Sequence, residues 1–561
     1  MTDPSLDEPR EASVPAAPVA RIGRASTLLA SGTAVSRVLG FISVIVLART
    51  IGVLGSGAAD TFRLANQLPN NIYAIVAGGL LSAVLVPQIV RASVQRDGGE
   101  AFINRLVTLG ILLFTLCAAI ATLCAPLLVR LYATSSSTAG FTDGELALAT
   151  AFAYWCLPQI LFYAIYSLLG EVLNARGVFG PFTWTPALNN VITISSLIAF
   201  GALFGSAKYL AADAWTPPMI ALLAGGATLG ITVQALTLFL FWKRAGLRYR
   251  PDFRWRGVGL RAVGKSASWV FAMILVTQVA GVVEVNVATI PQGDNPSVGV
   301  MSTAWLIAML PHSIIAVSVT TAYFTRMSTH TRDGDLAALR SDLVSALRTI
   351  LLFMIFATAA LAVVALPFSA VFDDRYTSVL ALGGALLATL LALVPFSVMF
   401  VFQRIFFALE DTRMAFFLQS GRSVLFVALA VMVPMFPDSH IVIVLCIVGA
   451  IAGVAQTIVA GVILHRRLGG IRAGELGRQA AWFLAAVIPA AGVGIVILLA
   501  LGGFGPGAFP VSSDVGGLVS VALAGLGMTV VYVAVLALTR NPELRSLAAP
   551  LTRRLGGIAR R

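Results

Sequence analysis

Four ionisable side chains sit where hydrocarbon is expected. Two apolar segments, roughly 26–51 and 62–90, are each long enough to cross a bilayer. Arg37, Arg49, Asp60 and Arg63 fall within or beside them, and Gln67 and Asn70 follow within two turns. A charged group at the bilayer centre costs at least ~2.5–3.5 kcal/mol, so such residues face a polar interior rather than lipid. Arg37 lies near the middle of its segment, too deep to reach either interface. Arg49 and Arg63 lie nearer segment ends, where snorkelling to the interface is an equal alternative. The second half of the chain adds Glu284 and Asn286 in the otherwise apolar stretch AGVVEVNVAT, His312 directly after Pro311, and Arg404. Glu284 is expected to face a cavity or a partner arginine. His312 is either a cavity group or a hydrogen-bonded polar residue at a kink, and proton coupling through either is left open. A guanidinium in a dry cavity suits an anion such as phosphate, to which it can make two charge-assisted hydrogen bonds at once.

Other chemistries find little support. Gly259 to Ser266 fits the phosphate-loop pattern G-x-x-x-x-G-K-[ST], but a basic loop precedes it and a membrane segment follows. A working phosphate loop joins a buried strand to a helix in an α/β domain, so the match is read as chance and no ATP use is expected. Cys117, Cys124, Cys156 and Cys446 all lie in apolar segments without metal-ligand spacing, and are read as buried small hydrophobes. No catalytic constellation is seen, so no enzyme, cofactor or metal is expected.

The elements that must position these residues are membrane helices. Of 561 residues, 58% are hydrophobic and 11% charged, with mean hydropathy +0.91. A soluble domain carries roughly 25% charged residues, so the fold is an all-α polytopic membrane protein. About fourteen spans are predicted, near 26–51, 62–90, 104–131, 146–172, 183–204, 218–242, 262–290, 298–326, 342–371, 378–408, 414–434, 440–464, 478–503 and 516–539. Alternate loops are basic, most densely from Lys243 to Lys265, whereas the loops between them hold only Lys208 and Arg375. That alternation places both termini in the cytoplasm. The net charge of +13 then reflects topology and attraction to anionic lipid, with no nucleic acid as partner. Residues 1–25 read as a disordered cytoplasmic tail.

A repeat is also legible. Pro69 and Pro311, Pro126 and Pro367, and Pro158 and Pro395 are offset by 242, 241 and 237 residues, each equivalent to six helices. An even number of crossings makes the halves parallel, and matched helix breakers suggest kinked helices around a central cavity. The expected organisation is a six-helix lobe at 26–242, a basic linker at 243–261, a second six-helix lobe at 262–464, two further helices at 465–540, and a basic tail at 541–561.

The stretch SRVLGF…LARTIG (Ser36 to Gly52), then ADTF (from Ala59) and LPN (Leu68 to Asn70), resembles the start of the MurJ/MviN family of lipid II flippases, in the multidrug/oligosaccharidyl-lipid/polysaccharide exporter superfamily. GEVLNARGVFGPFTWTPALNN (from Gly170) and RIFFALEDTRMAF (from Arg404) are similar to later family segments, over about residues 26–470 in all. The resemblance implies a flippase working by alternating access in the cytoplasmic membrane of a bacterium. Its substrate would be lipid II, a polyprenyl diphosphate bearing a disaccharide-pentapeptide, with the cell-wall synthesis machinery as neighbour. It further implies Arg37 as the deepest phosphate contact and Arg49 and Arg63 near an outer gate, where Asp60 pairs with one of them. Helices thirteen and fourteen would form a groove for the lipid tail. The driving force, ion gradient or membrane potential, stays open.

This chain departs from the family pattern at several positions. Ser43 and Val44 stand where relatives carry an Arg-Asp pair, and Tyr73 and Leu306 stand where relatives carry arginines. Part of the cationic cluster is absent, with Arg63 as a partial substitute. The alternatives are an exporter of another polyprenyl-linked glycan, or an ion-coupled antiporter of small molecules. Arg37 disfavours a cationic cargo. A membrane glycosyltransferase would need acidic catalytic or metal-binding residues in a loop, and no loop supplies a convincing set.

Overall fold

The computed structural model describes residues 19–53, 57–80, 99–133, 140–176, 178, 180–208, 210–254, 264–291 and 295–545. The first 18 residues, the end of the second predicted span, most of the phosphate-loop-like stretch and the last 16 residues lie outside this set.

The first half contains α1 (Val19–Ile51), α2 (Gly57–Leu80), α3 (Glu100–Leu123), α4 (Ala125–Tyr132), α5 (Asp143–Cys156), α6 (Gln159–Ala175), α7 (Gly180–Phe204) and α8 (Pro217–Thr237). The second half contains α9 (Gly264–Ala288), α10 (Val298–Pro311), a π turn (His312–Ala316), α11 (Val317–Arg332), α12 (Leu336–Val363), α13 (Ala365–Ala370), α14 (Tyr376–Leu390), α15 (Leu393–Ala408), α16 (Thr412–Ala430) and α17 (Asp438–Arg467). Then come α18 (Ala473–Ala500), the short α19 (Phe509–Ser512) and α20 (Asp514–Leu538). Among the described residues, twelve helices are long and apolar enough to cross a membrane, or thirteen with the bent pair α14–α15. The helix missing from that number is α2. Its described part carries Asp60, Arg63, Asn66, Gln67, Asn70 and Asn71, and the apolar end of the predicted span lies outside the described residues; counting it gives the fourteen predicted.

Proline explains the breaks, and the breaks repeat. Cys124 (φ −89°, ψ 12°) separates α3 from α4 two residues before Pro126; Val364 (φ −96°, ψ 14°) separates α12 from α13 three residues before Pro367. Each proline removes a backbone donor and clashes with the preceding turn, so the span ends in a short reoriented helix. Pro158 likewise parts α5 from α6, and a 42° bend parts α14 from α15 beside Pro395. At Pro311 the response is different: the helix runs on through the π turn.

Two large cores hold the bundle. One is built on α2 to α8 around Phe114, Phe152 and Phe200 and takes in residues of α9, α16 and α17; the other is built on α10 to α15 around Phe372 and Phe406 and takes in Ala48 of α1. A smaller core joins α12 to α18 and α20 through Phe483, Met528 and Tyr532, with Tyr532 Oη donating to the carbonyl of Leu352 at 2.9 Å. Large apolar side chains elsewhere point outward (Leu123 is 81% exposed), as lipid-facing helices require. The four cysteines are unpaired, and only Cys156 is fully buried. At the basic end, Arg254 and then Arg105 hold the Asp252 carboxyl well below the usual carboxylate range, fixing the loop after α8 to α3.

Candidate functional site

At the end of the bundle whose loops carry little positive charge, α1 and α2 grip the second lobe. Arg49 lies in the last turn of α1. Its Nη2 donates to the carbonyls of Ala370 and Val371, both at 3.1 Å, and its Nε to Val371 at 3.3 Å. Asp374 and Asp514 stand farther off, at 3.9 and 4.0 Å. Both carboxylates are more than half exposed (59% and 56%), so the carbonyl bonds carry more of the contact than the ion pairs. Lys208, just after α7, adds a parallel link to Asp373 and Asp374. Gly52, at φ +90°, ends α1 in a conformation that favours glycine and lets the chain turn into α2.

One helix over, Asp60 and Arg63 hold the N-terminus of α10. Asp60 Oδ1 accepts from the amide of Gly299 at 2.6 Å, where the helix dipole favours a negative charge. Arg63 Nη1 donates to the carbonyl of Gly299 (3.1 Å), Ser302 Oγ (3.0 Å) and Thr303 Oγ1 (2.7 Å). The two side chains also attract one another. Arg63 Nε and Nη2 are buried without a hydrogen-bond partner. The expectation that Arg63 replaces a missing cavity cation is therefore corrected: its bonded nitrogen is occupied by α10, and the guanidinium is packed between helices.

Away from this seal, Gln278 on α9 donates to the carbonyl of Asn71 on α2 at 2.6 Å. Gln67 and Asn70 follow Arg63 at helical spacing and are exposed, which places them on the face of α2 that looks toward α10. On α1, Phe41 stacks on Phe368 at 5.6 Å, and Ala48 is buried in the second lobe's core. Arg37, one turn before Phe41, shares that face. It is half-buried and makes no hydrogen bond or ion pair among the described residues. Its charge acts on His312, across the interlobe space.

The remaining predicted residues divide. His312 is 6% exposed, with Nδ1 paired to Ser397 Oγ at 2.9 Å and its ring edge-on to Phe396 and Phe400. Arg404 lies over Phe400 and Phe324 at 5.1 and 5.5 Å, without a hydrogen bond or ion pair among the described residues. Asn286 is not a cavity group: its amide donates to the carbonyls of Leu131 (2.8 Å) and Val282 (2.9 Å), tying α9 to the end of α4. Glu284, expected to face a cavity or a partner arginine, faces Arg422 on α16, a residue absent from the sequence-derived candidates. An arginine in the middle of a predicted span was the available signal. A seam of amides, Gln419 to Thr277 and Gln456 to Gln419, runs beside that pair. Tyr73 packs between Phe114 and Tyr163 in the first lobe, so the position where an arginine was expected belongs to a core.

Comparison with known proteins completes the picture. The family described as "Lipid II flippase MurJ" matches residues 47–513. That match starts after Ser36–Phe41 and runs past residue 470 through α18, stopping just before the last span, unlike the 26–470 expected from motifs. A probable lipid II flippase MurJ of Haemophilus influenzae is 27% identical over 60% of this chain and 65% of its own length. Another, of Borreliella burgdorferi, is 23% identical over 72% of this chain and 77% of its own. Among solved structures, a lipid II flippase MurJ in an inward closed conformation superposes with TM-score 0.70 at 17% identity, over 91% of this chain and 99% of that one. An inward-facing multidrug resistance transporter of the MATE family gives 0.59 at 15% identity, over 77% and 94%.

Proposed function

The chain belongs to the MurJ family of lipid II flippases, and on that premise we propose that it carries lipid II across the cytoplasmic membrane by alternating access. The observation that carries this reading is Arg37, a guanidinium with no hydrogen bond or ion pair among the described residues on an interlobe face, inside a multi-span bundle closed at one end by Arg49, Asp60 and Arg63. A diphosphate entering from the opposite end would meet that cation after leaving water. The apolar surfaces outside the lobes would leave a polyprenyl tail in hydrocarbon while the headgroup moves.

The basic end is assigned to the cytoplasm, with both termini there, from the distribution of Lys and Arg among the loops. The sealed end is then the outer gate, and the structure would represent a state that receives substrate from within. The chain works as a transporter rather than an enzyme, without ATP and powered by an ion gradient or the membrane potential. The test is conditional depletion followed by mass spectrometry of lipid-linked precursors. Lipid II should accumulate in the inner leaflet and clear on re-expression; accumulation of a different polyprenyl-linked glycan would assign the chain that cargo instead.

A further inference from the structure

Beyond Arg37, the interlobe space is lined on its second-lobe side by a run of rings that none of the contacts above explains. Ser302, Trp305 and His312 share one face of α10 and its π turn. Arg63 of the other lobe bonds Ser302, one turn from Trp305, which is 43% exposed. Its indole N–H has no hydrogen bond among the described residues. The ring of Trp305 meets Phe396 at 5.5 Å, Phe396 meets His312 at 4.8 Å, His312 meets Phe400 at 5.3 Å, and Arg404 covers Phe400. Eight residues of α15 separate Phe396 from Arg404, so the run extends about 12 Å along the bundle.

A half-exposed indole with no hydrogen bond among the described residues, set against a run of rings that ends in a guanidinium, is well matched to a ligand that is both apolar and polar. A pyranose ring is such a ligand: its C–H face packs on an aromatic face while its hydroxyls accept and donate around the rim. Arg404, at the end of the run, and Arg37, whose charge acts on His312 within it, are cations without ion pairs among the described residues and suit the diphosphate attached to the sugar. We infer that Trp305, Phe396 and Phe400, beside Arg37 and Arg404, form the platform on which the substrate's sugar rings stack. The inference rests on the flippase reading above and adds which part of the cargo the second lobe holds.

The experiment uses the full chain in lipid nanodiscs, with binding measured for lipid II and for undecaprenyl diphosphate, which has the same tail and diphosphate but no sugar. Trp305→Ala should weaken lipid II binding about tenfold and leave undecaprenyl diphosphate unchanged, and Trp305→Phe should recover most of the loss. Equal loss for both lipids would mean that Trp305 packs the tail or supports the fold, and would overturn the platform. Unchanged lipid II binding by Trp305→Ala would overturn it as well. Wild-type protein that binds lipid II through Trp305 yet never flips it in liposomes would overturn the transport reading and leave the platform standing.

Discussion

Asp60 accepts the amide of Gly299 at 2.6 Å, so a carboxylate from one lobe caps a helix of the other. Arg63, one turn along, takes the carbonyl of the same glycine. A Cβ added at Gly299 would stand 2.9 Å from Asp60 Oδ1 and 2.9 Å from the carbonyl of Val53. Real Cβ atoms do not come so near, and the backbone of Val53 cannot swing away as a side-chain tip could. Gly299→Ala should therefore open this seal. Losing a charge-assisted hydrogen bond worth ~1.5–3 kcal/mol shifts the balance of states about tenfold or more. A cysteine at Ser302 should gain reactivity toward an impermeant thiol reagent in the Gly299→Ala background. Equal reactivity in both backgrounds would show that the seal tolerates the methyl group.

Arg49 separates carbonyl gripping from charge pairing. Arg49→Lys keeps a cation near Asp374 and Asp514 but loses the fork that reaches Ala370 and Val371. Its transport rate should fall nearly as far as that of Arg49→Ala. Removing both exposed carboxylates, with Asp374→Ala and Asp514→Ala together, should cost under about 1 kcal/mol of gate stability and change transport little. The reverse ranking, a mild lysine variant and a severe double alanine, would make the ion pairs the working contact.

Arg37 is tested against the same pair of substitutions with a different ranking. Arg37→Ala removes charge and donors from the interlobe face, for an expected drop in substrate affinity of roughly ten- to hundredfold. It should insert normally and fail to complement a depleted strain. Arg37→Lys retains charge without the planar fork and should be impaired less. Complementation by a well-expressed alanine variant would remove Arg37 from the headgroup site.

Orientation has a direct test. Ser512 lies at the sealed end and Arg332 at the opposite one, and both are exposed. In intact cells a cysteine at position 512 should label with an impermeant reagent, and a cysteine at position 332 should label only after lysis. The opposite pattern would invert the assignment of inside and outside.

The architecture was legible because hydropathy and proline act locally: spans follow from apolar length, and Pro126, Pro158, Pro367 and Pro395 mark helix breaks by removing donors. The second span shows where the rule weakens, since a helix surrounded by protein can carry six polar residues. The site was legible only by residue type. That Arg49 would bond the carbonyls of Ala370 and Val371 has no signature, because every residue carries a carbonyl and only the meeting of two distant helices selects two of them. Gly299, Arg422 and the contacts of Trp305 depend likewise on which faces meet across the lobes. Asn286 misled for the same reason: a polar residue in an apolar run served a neighbouring helix end.

The sealed end has a property that shows only when its groups are considered as solutes. In this state Arg49 bonds the backbone of Ala370 and Val371, and Asp60 and Arg63 bond the backbone of Gly299. Parting the lobes there exposes two guanidinium groups, a carboxylate and three carbonyls, each of which must then be hydrated. Opening is thus an uptake of water, and osmolytes excluded from the protein surface should pull the bundle toward the state seen here. The sealed end is in effect a hygrometer: the activity of water on that side enters the equilibrium directly, alongside the cargo and whatever force drives the cycle.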